Sequence, residues 1–206
     1  KASAVRTDAP VIFRASGLAD GARVRDVSFD ARAGEIVGLA GVVGAGRSET
    51  FATIFGERRA IAGEMELDGA PYRASSVRQA IARGVALVPE ERRSQALIME
   101  DSVRANVALG NWRGTTPAPL LPFVSDGRAQ RTAERMMELL HIKARDPQVA
   151  VRTLSGGNQQ KVVFGRWLAR GARLMLLDEP TRGVDIGARQ QIWQTVEDFA
   201  AAGNAV

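Results

Sequence analysis

The sequence contains the stretch Leu154-Ser155-Gly156-Gly157-Asn158-Gln159-Gln160-Lys161 and, after a short gap, the stretch Leu177-Asp178-Glu179-Pro180. The first places a hydroxyl residue and two glycines at the predicted start of a helix. The second brings two adjacent carboxylates to the end of an apolar run. A third, glycine-rich stretch lies upstream: Gly41-Val42-Val43-Gly44-Ala45-Gly46-Arg47-Ser48. Three such motifs in this order are much harder to obtain by chance than one.

The glycine-rich stretch predicts a phosphate-binding loop between a strand, Glu35–Ala40, and a helix, Arg47–Phe55. Backbone amides in such a turn, together with the helix dipole, attract phosphate oxygens. Ser48 offers a hydroxyl to a magnesium ion. However, the usual lysine is Arg47 here, and Glu49 adds a carboxylate close to the phosphate position. Both differences count against hydrolysis at this loop. A tight turn without any ligand is the structural alternative.

The adjacent carboxylates Asp178 and Glu179 follow an unbroken apolar run, which is typical of a strand covered on both faces. In a nucleotide site, the first would hold a magnesium ion through water and the second would polarise the attacking water. Phosphoryl transfer needs both roles because its catalysis consists of positioning and charge compensation. Glu179 is therefore the candidate general base, and a solvated loop with a helix cap is the alternative.

Further elements follow from hydrophobic periodicity and turn residues. Asp68-Gly69 favours a hairpin turn, Ser75 is the expected cap of a helix, and the prolines Pro117, Pro119 and Pro122 interrupt a helical pattern. The predicted elements are a strand from Val24, a hairpin over 63–73, a helix over 76–83, strands over 85–88 and 174–177, and helices over 159–170 and 188–201.

Together, the three motifs resemble an ATP-binding cassette. The resemblance implies an α/β P-loop NTPase fold with a RecA-like core sheet, an antiparallel β subdomain and an inserted helical subdomain over about 97–170. The cassette would cover 11–206, stopping before its last strands, after a linker over 1–10. The implied cofactors are ATP and Mg²⁺, and the implied activity is that of an ATPase.

The resemblance also assigns site residues. The loop around Ser155 would grip a nucleotide bound to a second cassette, and Asp185 matches the loop that crosses the interface between the two. Glu90 stands where the family has a magnesium-contacting glutamine, so the candidate metal ligands are Ser48, Glu90 and Asp178. Phe13 is the candidate for stacking on adenine, whereas His141 is an ordinary helix-end histidine. The candidate nucleotide-binding residues are Gly41, Val42, Val43, Gly44, Ala45, Gly46, Arg47, Ser48, Glu49, Leu154, Ser155, Gly156, Gly157, Gln159 and Asp185.

The departures at Arg47 and Glu90 resemble the second cassette of tandem sugar-import ATPases of the ribose, xylose and galactose type. This resemblance implies ATP hydrolysis coupled to monosaccharide import. The implied partners are another cassette upstream in the same polypeptide, two membrane-spanning permease subunits and, indirectly, a sugar-binding protein. The implied location is peripheral, on the cytoplasmic face of the inner or plasma membrane.

Two rival functions remain open. The chain could be a regulatory module that binds nucleotide without hydrolysing it, which Arg47 and Glu49 favour, or a soluble cassette ATPase acting on ribosomes or DNA. The net charge of +5 would permit nucleic-acid contact, but the arginines are scattered singly or in pairs, so no nucleic-acid partner is expected. The absence of cysteine excludes disulfides and thiolate metal sites.

Overall fold

The computed structural model describes residues 8–109 and 126–206. They fall into two compact units, each built from separate segments of the chain. The first unit comprises residues up to 87 together with 172–178 and 196–206, and the second comprises 88–171 and 179–195. Across the described stretches, no helix is both long enough and apolar enough to cross a membrane. The three prolines of the predicted interruption lie outside the described residues.

The first unit contains a four-stranded antiparallel sheet. A left-handed pair, Asp68 with φ 50° and Gly69 with φ 73°, forms the turn of its hairpin, as predicted. The second strand begins at Val27 and not at Val24, because Asp26 has φ 52° and breaks the extended backbone. In the order β2-β1-β3-β4, the strands are β1 (Val11–Ala19), β2 (Val27–Arg32), β3 (Ala62–Leu67) and β4 (Ala70–Pro71).

Aromatic packing fills the core beneath this sheet. Phe13 is completely buried, with its ring 5.7 Å from that of Phe29 and 6.2 Å from that of Tyr72. The Tyr72 hydroxyl donates a hydrogen bond of 2.8 Å to the carbonyl of Ile54, at the end of the next helix. The interpretation of Phe13 as the aromatic that stacks on adenine is therefore wrong, because its ring is enclosed by the sheet's own core.

The remaining elements of the first unit carry the glycine-rich stretch and the acidic strand end. Helix α1 (Arg47–Ile54) follows the glycines, and α2 (Val77–Ala82) follows the hairpin. Strands β5 (Val85–Val88) and β6 (Leu174–Leu177) form a two-stranded sheet, and both lie where the sequence predicts them.

The last two residues of the chain pair with two other segments of the first unit. Ala205 forms a parallel bridge with Leu174, and the Val206 amide donates to the carbonyl of Glu35 over 3.0 Å. The Val37 amide in turn donates to the carbonyl of Val206 over 2.8 Å. The prediction of a regular strand over 35–40 is wrong. Among the described residues, the long-range backbone pairing of this segment is limited to the bonds of Glu35 and Val37 with Val206.

The second unit is helical. Its elements are α3 (Arg92–Gln95), α4 (Val103–Ala108), α5 (Asp126–Leu139), a 3₁₀ turn (Val151–Thr153), α6 (Gly156–Arg170) and the first part of α7 (Ile186–Ala201). Small residues let α5 and α6 approach closely: a Cβ on Gly165 would lie 3.3 Å from Met136. Helices α4 to α6 lie within the stretch predicted as a helical subdomain, and the subdomain itself stays a prediction.

Two buried cations hold the helices of the second unit together. Arg166 donates to the backbone carbonyl of Asn106 over 2.9 Å, and burial lowers its pKa to about 10. Lys161 donates to Gln191 over 2.7 Å and to the carbonyl of His141 over 3.0 Å. Burial, reinforced by Lys143, lowers the pKa of Lys161 as well. His141 follows the end of α5 with φ 49°, which is the helix-end position expected for it.

Serine caps set the starts of several helices. Ser76, and not Ser75 as predicted, caps α2 by accepting from the Gln79 amide, while Ser75 donates to the Gln79 side chain instead. Ser102 caps α4 and Ser155 caps α6 in the same way. Because the Ser155 cap precedes the glycines, α6 starts at Gly156, earlier than the predicted Gln159.

The close approach of β1 and β3 generates a stability prediction. Gly63 has φ 86°, and a Cβ there would lie 2.6 Å from the Cα of Leu18 and would also overlap the Gly17 carbonyl. We expect Gly63→Ala to lower the free energy of unfolding by about 3 kcal/mol or more, combining left-handed strain with steric overlap. Gly69→Ala is the matched control, because Gly69 is also left-handed, at φ 73°, but open space surrounds its Cβ position. Its expected loss is about 1 to 2 kcal/mol. Urea unfolding measures both, and equal losses would contradict the role assigned to the close approach.

Candidate functional site

The glycine-rich stretch forms an exposed loop that leads directly into α1. Gly44 and Gly46 have φ of 81° and 88°, and Gly46 is the residue before the first helical turn. A Cβ on Gly46 would lie 2.8 Å from the carbonyl oxygen of Arg23, so only glycine fits there without movement. The apolar side chains of Val42 and Val43 are 80% and 97% exposed. An exposed, glycine-rich loop that leads into a helix is the arrangement that the predicted phosphate loop requires.

Both unusual charges of the loop have partners within the first unit. The Arg47 guanidinium donates from Nη1 to the carbonyl of Gly41 over 2.8 Å, so this side chain folds back on its own loop. The Glu49 carboxylate lies 3.3 Å from Nη1 of Arg23. Glu49 is thus part of an ion pair and not an isolated negative charge beside the glycines.

The candidate metal ligands of the first unit are Ser48 and Asp178. Ser48 is exposed in the first turn of α1, and Asp178 is half-buried directly after β6. No group of three or more histidine, cysteine, aspartate or glutamate side chains that could hold a metal ion occurs among residues 8–109 and 126–206. Magnesium commonly takes only one or two protein ligands and completes its shell with water and phosphate oxygens. A serine and an aspartate therefore fit magnesium arriving with a nucleotide better than an all-protein metal site.

In the second unit, the stretch 154–161 forms the capped start of α6. The Ser155 hydroxyl is exposed and accepts from the side chain of Asn158 over 2.9 Å. Gly157 lies so close to Ala188 of α7 that a Cβ would overlap it. Gln159 is 1% exposed and donates to the carbonyl of Leu154 over 3.0 Å. This placement gives Gln159 a supporting role inside the loop, in place of the predicted contact with a nucleotide.

The segment 179–185 carries three charged residues of the second unit. Glu179 is exposed and has φ 47°, a left-handed conformation that is rare for a residue with a side chain and is often found at functional sites. Glu90 forms an ion pair with Arg182. Asp185 begins α7 by accepting from the Ala188 amide over 2.9 Å. Glu90 is thus already paired with a cation, which differs from the free carboxylate that a metal ligand would offer.

Arg92 is a residue of the second unit that the sequence interpretation missed. It is 7% exposed and donates to the carbonyls of Arg182 over 2.9 Å and Gly183 over 3.3 Å. A Cβ on Gly156 would lie 2.7 Å from its Nη2 atom. Burial lowers the pKa of Arg92, as does the neighbouring Arg93. Arg92 therefore packs the start of α6 against the turn that leads to Asp185.

The predicted residues divide between the two units. The loop 41–49 and Asp178 belong to the first unit, whereas Glu90, Leu154–Gly157, Gln159, Glu179 and Asp185 belong to the second. Within the second unit, Arg92 and the packing of Gly157 on Ala188 bring the start of α6 next to the start of α7. The one feature of the sequence that points to Arg92 is its position two residues after Glu90.

This combination of a glycine loop, a strand followed directly by Asp178 and a serine-capped glycine pair is that of an ATP-binding cassette. The family model described as ABC transporter matches residues 24–182. The chain belongs to the ABC transporter family.

Within this family, the chain is similar to curated proteins named for sugar import. The chain is 44% identical over 203 residues to the ribose import ATP-binding protein RbsA 2 of Streptomyces coelicolor, covering 98% of this chain and 38% of that protein. It is 44% identical over 202 residues to the arabinose import ATP-binding protein AraG of Azospirillum brasilense, with the same two coverages. For the ribose import ATP-binding protein RbsA of Geobacillus kaustophilus, the identity is 44% over 88% of this chain and 36% of that protein. The chain thus spans less than two fifths of the length of these relatives.

Solved structures confirm the predicted fold class. A nucleotide-free ATP-binding cassette from an ABC transporter matches with a TM-score of 0.75 at 20% identity, over 95% of this chain and 79% of that chain. An ATP-binding cassette in a dimeric post-hydrolysis state bound to ADP and Pi matches with a TM-score of 0.74 at 20% identity, over 92% of this chain and 83% of that chain. The fold is that of the α/β cassette.

The buried position of Arg92 generates a prediction. We expect Arg92→Ala to lower the free energy of unfolding by about 1.5 to 3 kcal/mol, because the carbonyls of Arg182 and Gly183 lose a charged donor. We also expect faster amide hydrogen exchange at 154–158 and 181–185. Arg135→Ala is the matched control: Arg135 is an exposed arginine of the same unit, so we expect a change within about 0.5 kcal/mol. Similar effects of the two substitutions in urea unfolding and exchange would contradict this role.

Proposed function

We propose that this chain is the nucleotide-binding cassette of an importer for monosaccharides, and that it binds ATP with Mg²⁺ at the loop 41–49. The observation that carries the proposal is the exposed, left-handed glycine loop opening onto α1 in a chain 44% identical to sugar-import ATP-binding proteins. Relatives named for ribose and arabinose import support a monosaccharide as the transported substrate.

The loop residues fit a nucleotide phosphate. Gly44 and Gly46 supply the left-handed backbone of the loop, and the amides at the start of α1 direct their partial positive charge toward it. The proposed nucleotide contacts of this loop are Gly41, Val42, Val43, Gly44, Ala45, Gly46, Arg47, Ser48 and Glu49. Arg47 folds back on Gly41, so it stabilises the shape of the loop in the conformation described.

Magnesium would be held by the Ser48 hydroxyl and the Asp178 carboxylate of the first unit. Glu90, in the second unit, is a separate candidate magnesium ligand. When bound, magnesium neutralises part of the negative charge on the phosphate oxygens. Glu90 must exchange its ion pair with Arg182 to take this role. Glu179 is the proposed general base: its exposed carboxylate would accept a proton from the attacking water.

The second unit would act on a nucleotide held by another cassette. Ser155 presents an exposed hydroxyl at the start of α6, where the first amides, those of Gly156 and Gly157, have no acceptor within the helix. Asp185 marks the loop that would cross the interface. Leu154 and Gln159 shape this loop from inside. The chain's share of 36% to 38% in its relatives' length leaves room for a second cassette of similar size upstream in the same polypeptide.

In the assembled importer, two membrane-spanning permease subunits would form the pathway and a sugar-binding protein would deliver the substrate. The cassette would lie peripherally on the cytoplasmic face of the membrane. Closure of the paired cassettes around ATP would switch the permease subunits, and release of phosphate would reopen them. The regulatory alternative, nucleotide binding without hydrolysis at this loop, is favoured by one observation, namely the engagement of Arg47 with Gly41.

Nucleotide binding is the first experiment. We expect a fluorescent ATP analogue with Mg²⁺ to bind the unaltered chain, and Arg47→Lys to bind it about tenfold more tightly, since a compact ammonium fits between phosphates better than a guanidinium. Arg59→Lys is the matched control at an exposed position and should leave the affinity unchanged. An unaltered chain that binds no analogue would contradict the proposed site.

A pair of capping serines tests the contribution of α6 to hydrolysis. Ser155→Ala and Ser102→Ala each remove one helix cap, at a cost of about 1 kcal/mol in stability. In the complete polypeptide assembled with its membrane subunits, we expect only Ser155→Ala to lower the rate of ATP hydrolysis, by about tenfold or more. Phosphate release measures the rate. Equal rates for the two variants would show that Ser155 is only a helix cap.

A further inference from the structure

The ion pair between Arg23 and Glu49 lies beside the loop that we propose binds phosphate. Nη1 of Arg23 is 3.3 Å from Oε1 of Glu49 and 3.8 Å from the point where a Cβ on Gly44 would lie. The carbonyl oxygen of Arg23 is 2.8 Å from the corresponding point on Gly46. Both the backbone and the guanidinium of Arg23 therefore border the two left-handed glycines.

Glu49 presents an electrostatic problem for this loop. Its carboxylate lies in the first turn of α1, where a bound phosphate would also interact with the helix amides. The Glu49 carboxylate and a phosphate bound at the same helix end would repel each other unless a nearby cation compensates the charge. The Glu49 side chain is 23% exposed, so water screens it only in part.

The loop's own cation is engaged elsewhere. Arg47 donates to the carbonyl of Gly41, which lies at the other end of the loop in sequence from Glu49. The Arg23 side chain is 61% exposed, which leaves much of its guanidinium open to solvent while Nη1 faces the carboxylate.

We propose that Arg23 compensates the Glu49 carboxylate and so allows an anionic phosphate to bind at the loop 41–49. This inference rests on the proposed nucleotide binding and adds a residue outside the glycine motif to the site. It accounts for the presence of a glutamate next to Ser48: the acidic residue is neutralised by an arginine that reaches the loop from the segment before β2.

Equilibrium binding to the chain tests this role with two probes, a fluorescent ATP analogue with Mg²⁺ and, as a competitor, inorganic tripolyphosphate. We expect Arg23→Ala to weaken both by about tenfold, because Glu49 is then left uncompensated. We expect Arg23→Ala with Glu49→Gln to bind within about threefold of the unaltered chain, because the second change removes the charge that needed compensation. Competition by adenosine, which carries no phosphate, should be the same in every variant.

Arg25→Ala is the matched control, since it removes an equal charge from an exposed position two residues away. It should change the affinity by less than about twofold. Thermal unfolding without nucleotide checks that each variant is folded, and little change is expected because exposed ion pairs stabilise proteins weakly.

The outcomes separate the two proposals. A chain that binds neither the analogue nor tripolyphosphate overturns the nucleotide-binding function, and this inference with it. Binding by the unaltered chain that Arg23→Ala leaves unchanged overturns only the role of Arg23. A double variant that stays as weak as Arg23→Ala alone also overturns it, because the loss would then not depend on Glu49.

Discussion

The hydrogen bonds of Ala205 and Val206 connect the two segments on which the first unit's site depends. One neighbour of this pair is Leu174, at the start of the strand that ends before Asp178, and the other is the segment 35–37, which leads into the glycine loop. Backbone pairing fixes neighbouring segments about 4.8 Å apart and in a defined register. The approach to the loop and the acidic strand are thus held by main-chain groups, so their placement does not depend on the motif side chains.

Charge compensation is the second constraint on the motif residues. Arg47 donates to a backbone carbonyl, and Asp185 accepts from the Ala188 amide of α7. Glu49 and Glu90 form ion pairs with Arg23 and Arg182, respectively. Exposed pairs of this kind stabilise a fold little, but they determine which charge is presented to a ligand. The sequence alone shows a loop with an unsuitable cation and an unsuitable carboxylate, whereas the structure shows each of them with a partner.

Local signals account for what could be predicted. The Asp68-Gly69 turn and the apolar run before Asp178 each determine their structure within a few neighbouring residues, and both were found as expected. The burial of Phe13 and Gln159 was missed because it depends on residues distant in sequence. Arg92 was missed for the same reason: its acceptors lie in a turn that only the folded second unit brings to it, and no motif marks a long-range side-chain to backbone contact.

The left-handed backbone at Glu179 has an evolutionary consequence. A residue with φ 47° must tolerate a conformation that excludes β-branched side chains and is readily accepted only by glycine, asparagine and aspartate. Amino-acid replacement at this position is therefore restricted by the backbone conformation as well as by the need for a carboxylate. Where the carboxylate is lost, glycine and asparagine are the replacements that this backbone accepts most readily. Related cassettes should therefore show few residue types at this position, and few valines, isoleucines or threonines.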